Sequence, residues 1–364
     1  MANQPQLSAK FSLTRKQKSQ NHCFELAVDF SIPFRGVTAI FGHSGSGKTT
    51  LLRLIAGLEK CQQGQLIVDQ HIWQQAEVFL PTHQRTVGYV FQEPSLFDHL
   101  TVTKNLQYAL KRADSPVTKT HYNEVIQLLA LDTLLTRYPT QLSGGEKQRV
   151  AIARAIFIQP TVLLMDEPLA SLDGKHKAEI LAYLESLTAI VNIPIIYVSH
   201  SVDEIMRLAD HVLVLEAGKI SAQGNVFDVF SRLDTRLGQD KGVVLSGKIV
   251  AFEPQWRLAK FEFSGGHLWL ADHDFNLNQE IRVQVKASDI SVTNTCLDDS
   301  SVLNRLAAKV VAISEQAEHA MALVQLSVGD SQFIAQLTRK SIASLALSPD
   351  NEVWLQVKST AIVR

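Results

Sequence analysis

One stretch, residues 41–50, constrains this chain more than any other part of its sequence. It reads Phe-Gly-His-Ser-Gly-Ser-Gly-Lys-Thr-Thr and fits the spacing G-x-x-x-x-G-K-[ST] of a phosphate-binding loop. The glycines let the backbone approach a phosphate closely, and successive N–H groups form a nest for an anion. An apolar run typical of a strand precedes the loop, and a helical pattern follows it, so an α/β nucleotide-binding domain is expected.

The individual residues of this loop have separate predicted tasks. Lys48 supplies a positive charge for the β- and γ-phosphates, and the Thr49 hydroxyl is a ligand for Mg²⁺, a hard cation that prefers oxygen. The predicted nucleotide contacts are Gly42, His43, Ser44, Gly45, Ser46, Gly47, Lys48, Thr49 and Thr50.

Length and charge narrow the possible functions. The chain has 364 residues, enough for two or three domains, and a formal net charge of -1. This charge does not favour a nucleic acid as partner. The first twenty or so residues are polar and do not resemble a secretory signal, and no apolar run reaches the ~20 residues that span a bilayer. A membrane function would therefore require another subunit. The three cysteines, Cys23, Cys61 and Cys296, are scattered along the chain and odd in number, which indicates reduced thiols.

A second glycine-containing motif begins at Ser143. Ser143 is a good helix N-cap, and Glu146 three residues later completes the pattern of a capping box. Gly144 and Gly145 leave backbone N–H groups accessible at the start of this helix, which predicts a second anion-binding terminus.

Acidic residues and a histidine follow two further predicted strands. Asp166 and Glu167 follow the apolar run 161–165, and His200 follows the run 195–198. Ligands of open α/β sheets bind at the carboxyl ends of strands, so these residues should meet Lys48 at one edge. We assign Asp166 to Mg²⁺, through water, and Glu167 to the removal of a proton from an attacking water.

Together these motifs resemble the ATP-binding cassette family. Residues 143–148 match its signature loop, 164–168 its Walker B strand, 171–173 its D-loop, Gln92 its Q-loop and His200 its switch histidine. The resemblance implies that Gln92 and His200 serve hydrolysis, that Gln92 also holds Mg²⁺, and that two copies pair head to tail. Residues 143–145 of one copy would then cover ATP on the other, forming a homodimer. The family's adenine-stacking aromatic residue is missing from its usual place, and His22 and Phe24 remain alternatives.

The C-terminal part has a different sequence pattern from the N-terminal part. Short alternating apolar runs without long helices predict an all-β domain of small, OB-like barrels. We expect three regions, which are a cassette over 1–235, a β-rich linker over 236–288 and a regulatory domain over 289–364. Residues 287–292, 300–304 and 356–359 resemble the molybdate-importing branch of the family. That resemblance implies molybdate bound near the hydroxyls and charge of Ser300, Ser301, Lys358 and Ser359.

The resemblance implies an ATPase at the cytoplasmic face of the inner membrane, peripheral to membrane-spanning permease subunits. The helical segment 101–138 would transmit motion to them, and an extracytoplasmic molybdate-binding protein would deliver the substrate. Two alternatives stay open. One is the same ATPase role in import of sulfate, iron or sugar, and the other is an oxyanion-binding regulator that does not hydrolyse ATP. A C-terminal barrel that only stiffens the dimer is a further alternative for that domain.

Overall fold

The computed structural model describes residues 6–16, 23–61, 63–113, 115–170, 172–190, 193–230, 242–272, 274–296, 299–314, 320–358 and 362–363. They form two compact units, Met1–Asn225 and Val226–Arg364. The boundaries drawn from the sequence at 235/236 and 288/289 remain a prediction. Over these described ranges, no helix has both the length and the apolar character needed to cross a membrane.

The N-terminal unit contains eleven strands and six helices among its described residues. The strands are β1 Gln6–Lys16, β2 Cys23–Pro33, β3 Val37–Phe41, β4 Gln63–Val68, β5 His71–Gln75, β6 Val78–Phe79, β7 Val87–Val90, β8 Val162–Asp166, β9 Ile195–Ser199, β10 His211–Glu216 and β11 Lys219–Asn225. The helices are α1 Lys48–Ala56, α2 Val102–Leu110, α3 Lys119–Leu128, α4 Gly144–Ile156, α5 Gly174–Ile190 and α6 Val202–Leu208.

A mostly parallel sheet forms the centre of this unit, with strand order β11-β10-β3-β9-β8-β7. Every residue of β3, β8 and β9 is buried, as expected for parallel strands that are covered on both faces. The register pairs Phe41 with Ser199 and Asp166 with Val198, so these strands end at one edge of the sheet. This sheet and its edge agree with the sequence prediction.

An antiparallel sheet, ordered β2-β1-β4-β5-β6, packs with the central sheet through α1. Leu51, Leu52, Leu54 and Ile55 of α1 are fully buried in a core that both sheets share. The helix ends at Gly57, whose positive φ of 75° is readily adopted by glycine and closes the last turn. The core thereby fixes α1, which begins with the lysine of the phosphate-binding loop.

A helical segment leads from the Q-loop towards α4. Its apolar stripe is buried at Val125, Ile126 and Leu129, while the ring of Tyr122 stacks on that of Phe157 at 5.1 Å. This agrees with the expectation that the stripe serves packing. Thr101 caps α2 by accepting a hydrogen bond from the Lys104 N–H group.

Among its described residues, the C-terminal unit contains two five-stranded sheets and two short helices. Its strands are β12 Gly242–Glu253, β13 Leu258–Phe263, β14 Gly266–Ala271, β15 Glu280–Lys286, β16 Ile290–Thr293, β17 Asn304–Ile313, β18 Met321–Val328, β19 Ser331–Thr338, β20 Glu352–Val357 and β21 Ile362–Val363. Its helices are α7 Val226–Phe230 and α8 Arg339–Ser344. This all-β architecture confirms the predicted fold class.

The two sheets of this unit have the same plan. Their strand orders are β14-β13-β12-β15-β21 and β19-β18-β17-β20-β16, so the central, hairpin and outer strands correspond one to one. The register shifts at the same place in both, between Ile249 and Ala251 in β12 and between Val310 and Ala312 in β17. The unit therefore contains an internal structural repeat, which the sequence reasoning did not identify.

The two repeats exchange their last strands. Strand β16 follows β15 in the chain but pairs with β20, bringing Ile290 opposite Val357. Strand β21 follows β20 but pairs with β15, bringing Ile362 opposite Val285. One hydrophobic core accordingly includes residues of both sheets, with Phe261 and Phe333 fully buried in it.

Candidate functional site

The phosphate-binding loop has the close backbone approaches that its glycines predict. Gly45 and Gly47 have φ values of 81° and 104°, in the left-handed region that favours glycine. A Cβ added to Gly42 would clash with the carbonyl oxygen of Leu215. The loop runs directly into α1, whose first residue is Lys48.

Two polar groups of the loop point inwards. The Lys48 ammonium donates hydrogen bonds to the carbonyl oxygens of Gly42 at 2.8 Å and His43 at 3.1 Å. The buried hydroxyl of Ser46 has no hydrogen-bond partner among the described residues. Because an unpaired buried hydroxyl is costly, this group and Lys48 fit a phosphate ligand. Ser44 and Gly45 are exposed at the tip of the loop, and Thr50 is half-buried.

Asp166 lies at the end of β8 beside the start of α1. Its carboxylate accepts hydrogen bonds from the Thr49 hydroxyl at 2.9 Å and from the Tyr89 hydroxyl at 3.2 Å. Burial raises the pKa of Asp166 above its ordinary value, although both hydrogen bonds oppose the shift. A cation would relieve the cost of burying this charge, and Thr49 and Asp166 offer the oxygen ligands that Mg²⁺ prefers.

Glu167 lies between two cationic or potentially cationic side chains. Its Oε1 is 3.4 Å from Lys48 Nζ, and its Oε2 is 3.0 Å from His200 Nδ1. Its φ of 43° is uncommon for a residue with a Cβ, and such conformations cluster at functional sites. The expected meeting of Lys48, Glu167 and His200 is therefore present in the structure.

Gln92 lies two residues after β7 and is exposed. Strand β7 pairs with β8, with Val90 opposite Met165, so Gln92 follows the strand next to the one that ends in Asp166. The structure thus places Gln92 at the same sheet edge as the other predicted site residues.

The signature loop starts α4 as a capping box. The Ser143 N–H donates to Glu146 Oε2 at 2.7 Å, and the Glu146 N–H donates to Ser143 Oγ at 3.3 Å. A Cβ added to Gly144 would lie 3.4 Å from Leu172, and one added to Gly145 would lie 3.6 Å from His176. The glycines therefore lie against the start of α5. Ser171, the first residue of the predicted D-loop, falls outside the described residues.

Of the predicted oxyanion residues, Ser300, Ser301 and Lys358 lie at one end of the second C-terminal sheet. Asn304, the first residue of β17, pairs with Val357, the last residue of β20. Residues 300 and 301 precede β17, and Lys358 follows β20, so both segments lie at this end. Ser300 is half-buried, Ser301 and Lys358 are exposed, and Ser359 lies outside the described residues.

Two aromatic side chains contact the nucleotide site, and of these the Tyr89 contact was missed from the sequence. Tyr89 binds Asp166 from the neighbouring strand, and burial raises its pKa, so the hydroxyl keeps its proton. The Phe24 ring lies against the phosphate-binding loop, 3.0 Å from the position of a Cβ on Gly47. Of the two alternatives for the adenine contact, Phe24 is therefore beside the loop, whereas His22 lies outside the described residues.

Comparison with known proteins agrees with this geometry. The family pattern described as ABC transporter matches residues 26–170, and that of the TOBE domain matches residues 300–363. The chain is 48% identical over 342 residues to the molybdenum import ATP-binding protein ModC of Methylococcus capsulatus, covering 93% of this chain and 96% of that one. It belongs to the family of molybdenum import ATP-binding proteins.

The family membership confirms the resemblance inferred from the motifs. The ModC protein of Thiobacillus denitrificans is 49% identical over 93% of this chain and 94% of its own. Among solved structures, cbiO1 of Clostridium perfringens, part of the ABC transporter complex cbiONQ, has a TM-score of 0.54 and 26% identity, covering 63% of this chain and 92% of its own. The dimeric ATP-binding cassette MJ0796 bound to ADP and Pi has a TM-score of 0.51 at 24% identity, covering 60% of this chain and 98% of its own, and supports the fold alone.

Proposed function

We propose that this chain hydrolyses MgATP as a head-to-tail homodimer and that hydrolysis drives molybdate import through membrane-spanning permease subunits. The observation that carries the proposal is the meeting of Lys48, Asp166, Glu167 and His200 at one sheet edge. The relatives named molybdenum import ATP-binding protein support molybdenum as the transported element, rather than sulfur, iron or a sugar.

The phosphate-binding loop would hold the triphosphate of ATP. Its N–H nest, the Ser46 hydroxyl and the Lys48 ammonium are all donors or positive charges, which is what a polyanion requires. Thr49 and Asp166 would hold Mg²⁺, with Gln92 reaching the ion from the next strand. The bound ion would neutralise negative charge on the phosphates.

Glu167 would act as the general base. Lys48 and His200 each lie against one of its carboxylate oxygens. A triphosphate that takes over Lys48 would free Oε1 to accept a proton from an attacking water. His200 would keep the carboxylate oriented through Oε2, which favours one geometry for the transfer.

A second copy would complete the site. Ser143 caps α4, and the N–H groups of Gly144 and Gly145 lie in the first turn of this helix, so they can meet the phosphates of ATP bound to the partner. Phe24 would pack against the adenine. The dimer would sit at the cytoplasmic face of the inner membrane, bound to its permease subunits, with an extracytoplasmic molybdate-binding protein on the other side.

Replacing the base tests this function. Glu167→Gln keeps the shape of the side chain but removes the base, so the ATPase rate should fall about 10²- to 10⁴-fold while ATP still binds. The assay is phosphate release by the purified chain and by the chain reconstituted with its permease in vesicles. Glu185→Gln, which changes a carboxylate on α5, is the control and should keep the parent rate. Hydrolysis by Glu167→Gln at the parent rate would refute the assignment.

The C-terminal unit offers a second candidate function, which is binding of molybdate as a regulator. Beside the end of β20, Gln356 is 6% exposed, and its amide Nε2 has no hydrogen-bond partner among the described residues. This donor, the hydroxyls of Ser300, Ser301 and Ser359 and the charge of Lys358 suit a dianion that only accepts hydrogen bonds. Bonds to a charged group contribute roughly 1.5–3 kcal/mol each.

Calorimetry of the full chain tests this regulatory role with molybdate, tungstate and sulfate. Lys358→Ala should weaken molybdate binding at least about tenfold, since it removes a charge-assisted bond. Lys309→Ala is the control, because Lys309 is an exposed lysine of the same sheet that pairs with Asp350. Molybdate binding that shifts the dimer equilibrium would give feedback on import. Absence of heat at millimolar oxyanion would remove the regulatory role and leave the ATPase role intact.

A further inference from the structure

A buried carboxylate lies behind the segment that carries His200. Glu204, in the first turn of α6, is 4% exposed. It accepts hydrogen bonds from the Tyr197 hydroxyl at 2.6 Å and the Ser199 hydroxyl at 2.8 Å, and it pairs with Lys177 Nζ at 2.5 Å. A buried charge is tolerated when it is both paired and hydrogen-bonded, and Glu204 meets both conditions.

The local sequence would predict a different use for this side chain. Ser201 and Glu204 have the spacing of a capping box, as do Ser143 and Glu146. Glu146 turns back to the N–H group of its N-cap residue, whereas the Glu204 carboxylate turns inwards. The Ser201 N–H group donates instead to Ser199 Oγ at 2.9 Å, and that hydroxyl donates to Glu204. Ser199 thus relays the bond that a capping box would make directly.

This relay holds the backbone on both sides of His200. Ser199 precedes the histidine, Ser201 follows it, and both belong to the Glu204 network. The His200 side chain itself is 56% exposed, so its position against Glu167 depends on how firmly this backbone is held. A displacement of a fraction of an ångström would lengthen the 3.0 Å contact between His200 Nδ1 and Glu167 Oε2.

Lys177 connects the same carboxylate to α5. The N–H group of Lys177 donates to the Asp173 carbonyl, so the lysine lies in the first turn of that helix. In this turn, His176 lies against Gly145 of the signature loop. Glu204 therefore joins the histidine of one nucleotide site to the helix that supports the loop expected to serve the other site.

We propose that Glu204 is a positioning residue for ATP hydrolysis, which holds His200 against Glu167 and ties both to the helix beneath the signature loop. The inference rests on the proposed ATPase function, because it assigns Glu204 to the reaction that Glu167 and His200 serve. Glu204 acts through His200 and does not itself touch the nucleotide.

Two ion pairs between the same helices allow a matched comparison. Glu204→Gln breaks the buried pair with Lys177, and Glu185→Gln breaks the more exposed pair between Glu185 and Arg207, which also joins α5 to α6. Glu204→Gln should lower kcat for ATP about tenfold and leave KM within about twofold, because orientation is lost and nucleotide contacts are kept. Glu185→Gln should leave both constants within about twofold.

A double-mutant cycle with His200→Ala separates positioning from a general loss of structure. If Glu204 acts through His200, Glu204→Gln should have no further effect on kcat in the His200→Ala background. Ser199→Ala, which removes only the relay hydroxyl and leaves the pair with Lys177 intact, should also lower kcat selectively. The proposal would be overturned if Glu204→Gln lowered kcat equally in the parent and in the His200→Ala background. It would also be overturned if Glu204→Gln and Ser199→Ala both kept the parent kcat. A parent chain without ATPase activity would instead refute the proposed function.

Discussion

Replacing Arg85 with methionine should destabilise the N-terminal unit, because Arg85 closes the end of the helix that begins with Lys48. Arg85 is 4% exposed, and its guanidinium donates to the carbonyl oxygens of Leu54 at 3.0 Å, Ile55 at 2.7 Å and Leu80 at 2.7 Å. Burial lowers the pKa of Arg85 to about 10, which still leaves the side chain charged at neutral pH. Arg85 therefore satisfies carbonyls at the C-terminus of α1 that a helix leaves open.

The expected loss of unfolding free energy can be worked out from the carbonyl groups that lose their hydrogen-bond donor in Arg85→Met. The Leu54 carbonyl also accepts a hydrogen bond from the Gly57 N–H group, so it keeps a partner in the variant. The carbonyls of Ile55 and Leu80 are therefore the ones that lose their donor. Each buried carbonyl without a partner costs about 1–3 kcal/mol. The guanidinium also lies 5.0 Å from the Phe79 ring centroid, a contact worth about 1–2 kcal/mol where desolvated. Methionine keeps the packing of the aliphatic stem, so the two carbonyls and the lost ring contact together give an expected total loss of about 3–8 kcal/mol.

Tryptophan fluorescence can report this loss from the N-terminal unit alone. The chain has four tryptophans, of which only Trp73 lies in that unit. With Trp256, Trp269 and Trp354 replaced by phenylalanine, urea unfolding monitored at Trp73 measures the stability of that unit.

A surface arginine provides the control for Arg85→Met. Arg15→Met removes an arginine that is 53% exposed and pairs with Glu59, so it should cost no more than about 1 kcal/mol. If the two variants had the same unfolding midpoint and slope, the reasoning about the buried carbonyls would be refuted.

Three further changes test other parts of the site. Lys48→Ala should weaken ATP binding, measured by calorimetry, because it removes the charge that faces the triphosphate. Ser143→Arg should leave binding by the monomer nearly unchanged but abolish ATP-dependent dimerisation in sedimentation, and dimers of this variant would contradict the composite site. Glu146→Gln keeps a side chain that can complete a capping box but removes the negative charge at the start of α4, so it should cost about 0.3–1 kcal/mol at neutral pH. The Ser143 N–H group lowers the pKa of Glu146 below its ordinary 4.5, so this stabilisation is present above that pH and lost as the pH falls through the lowered pKa. Urea unfolding at decreasing pH should show the variant and the parent converging.

Features with a local physical cause were predictable from the sequence. The phosphate-binding loop, the capping box at Ser143 and the strand that ends in Asp166 each follow from residue type and spacing over a few positions. The meeting of Lys48, Glu167 and His200 was predictable as well, because parallel strands present their carboxyl ends at one edge. It was enough to know that each of these residues follows a predicted strand, and no distance had to be known.

Features that depend on register between distant strands were not predictable in this way. Tyr89 reaches Asp166 because β7 pairs with β8, and nothing near Tyr89 in the sequence specifies that pairing. The exchange of strands in the C-terminal unit is a similar case. A faint signal existed, since Val-Lys occurs at both 285–286 and 357–358, each followed at the same spacing by an isoleucine. The valine of each repeat pairs with the isoleucine that follows the other valine, Val285 with Ile362 and Val357 with Ile290.

The two Ser-x-x-Glu sequences show how tertiary surroundings decide the use of one local motif. At Ser143 the glutamate is partly exposed, so the nearest donor is the N–H group of its own N-cap residue. At Ser201 the end of β9 brings two hydroxyls and α5 brings a lysine, and these stronger and more numerous partners draw Glu204 inwards. A charge buried in this way holds three separate elements together, whereas an exposed cap stabilises only its own helix. The difference explains why the first motif could be interpreted from sequence and the second only from the fold.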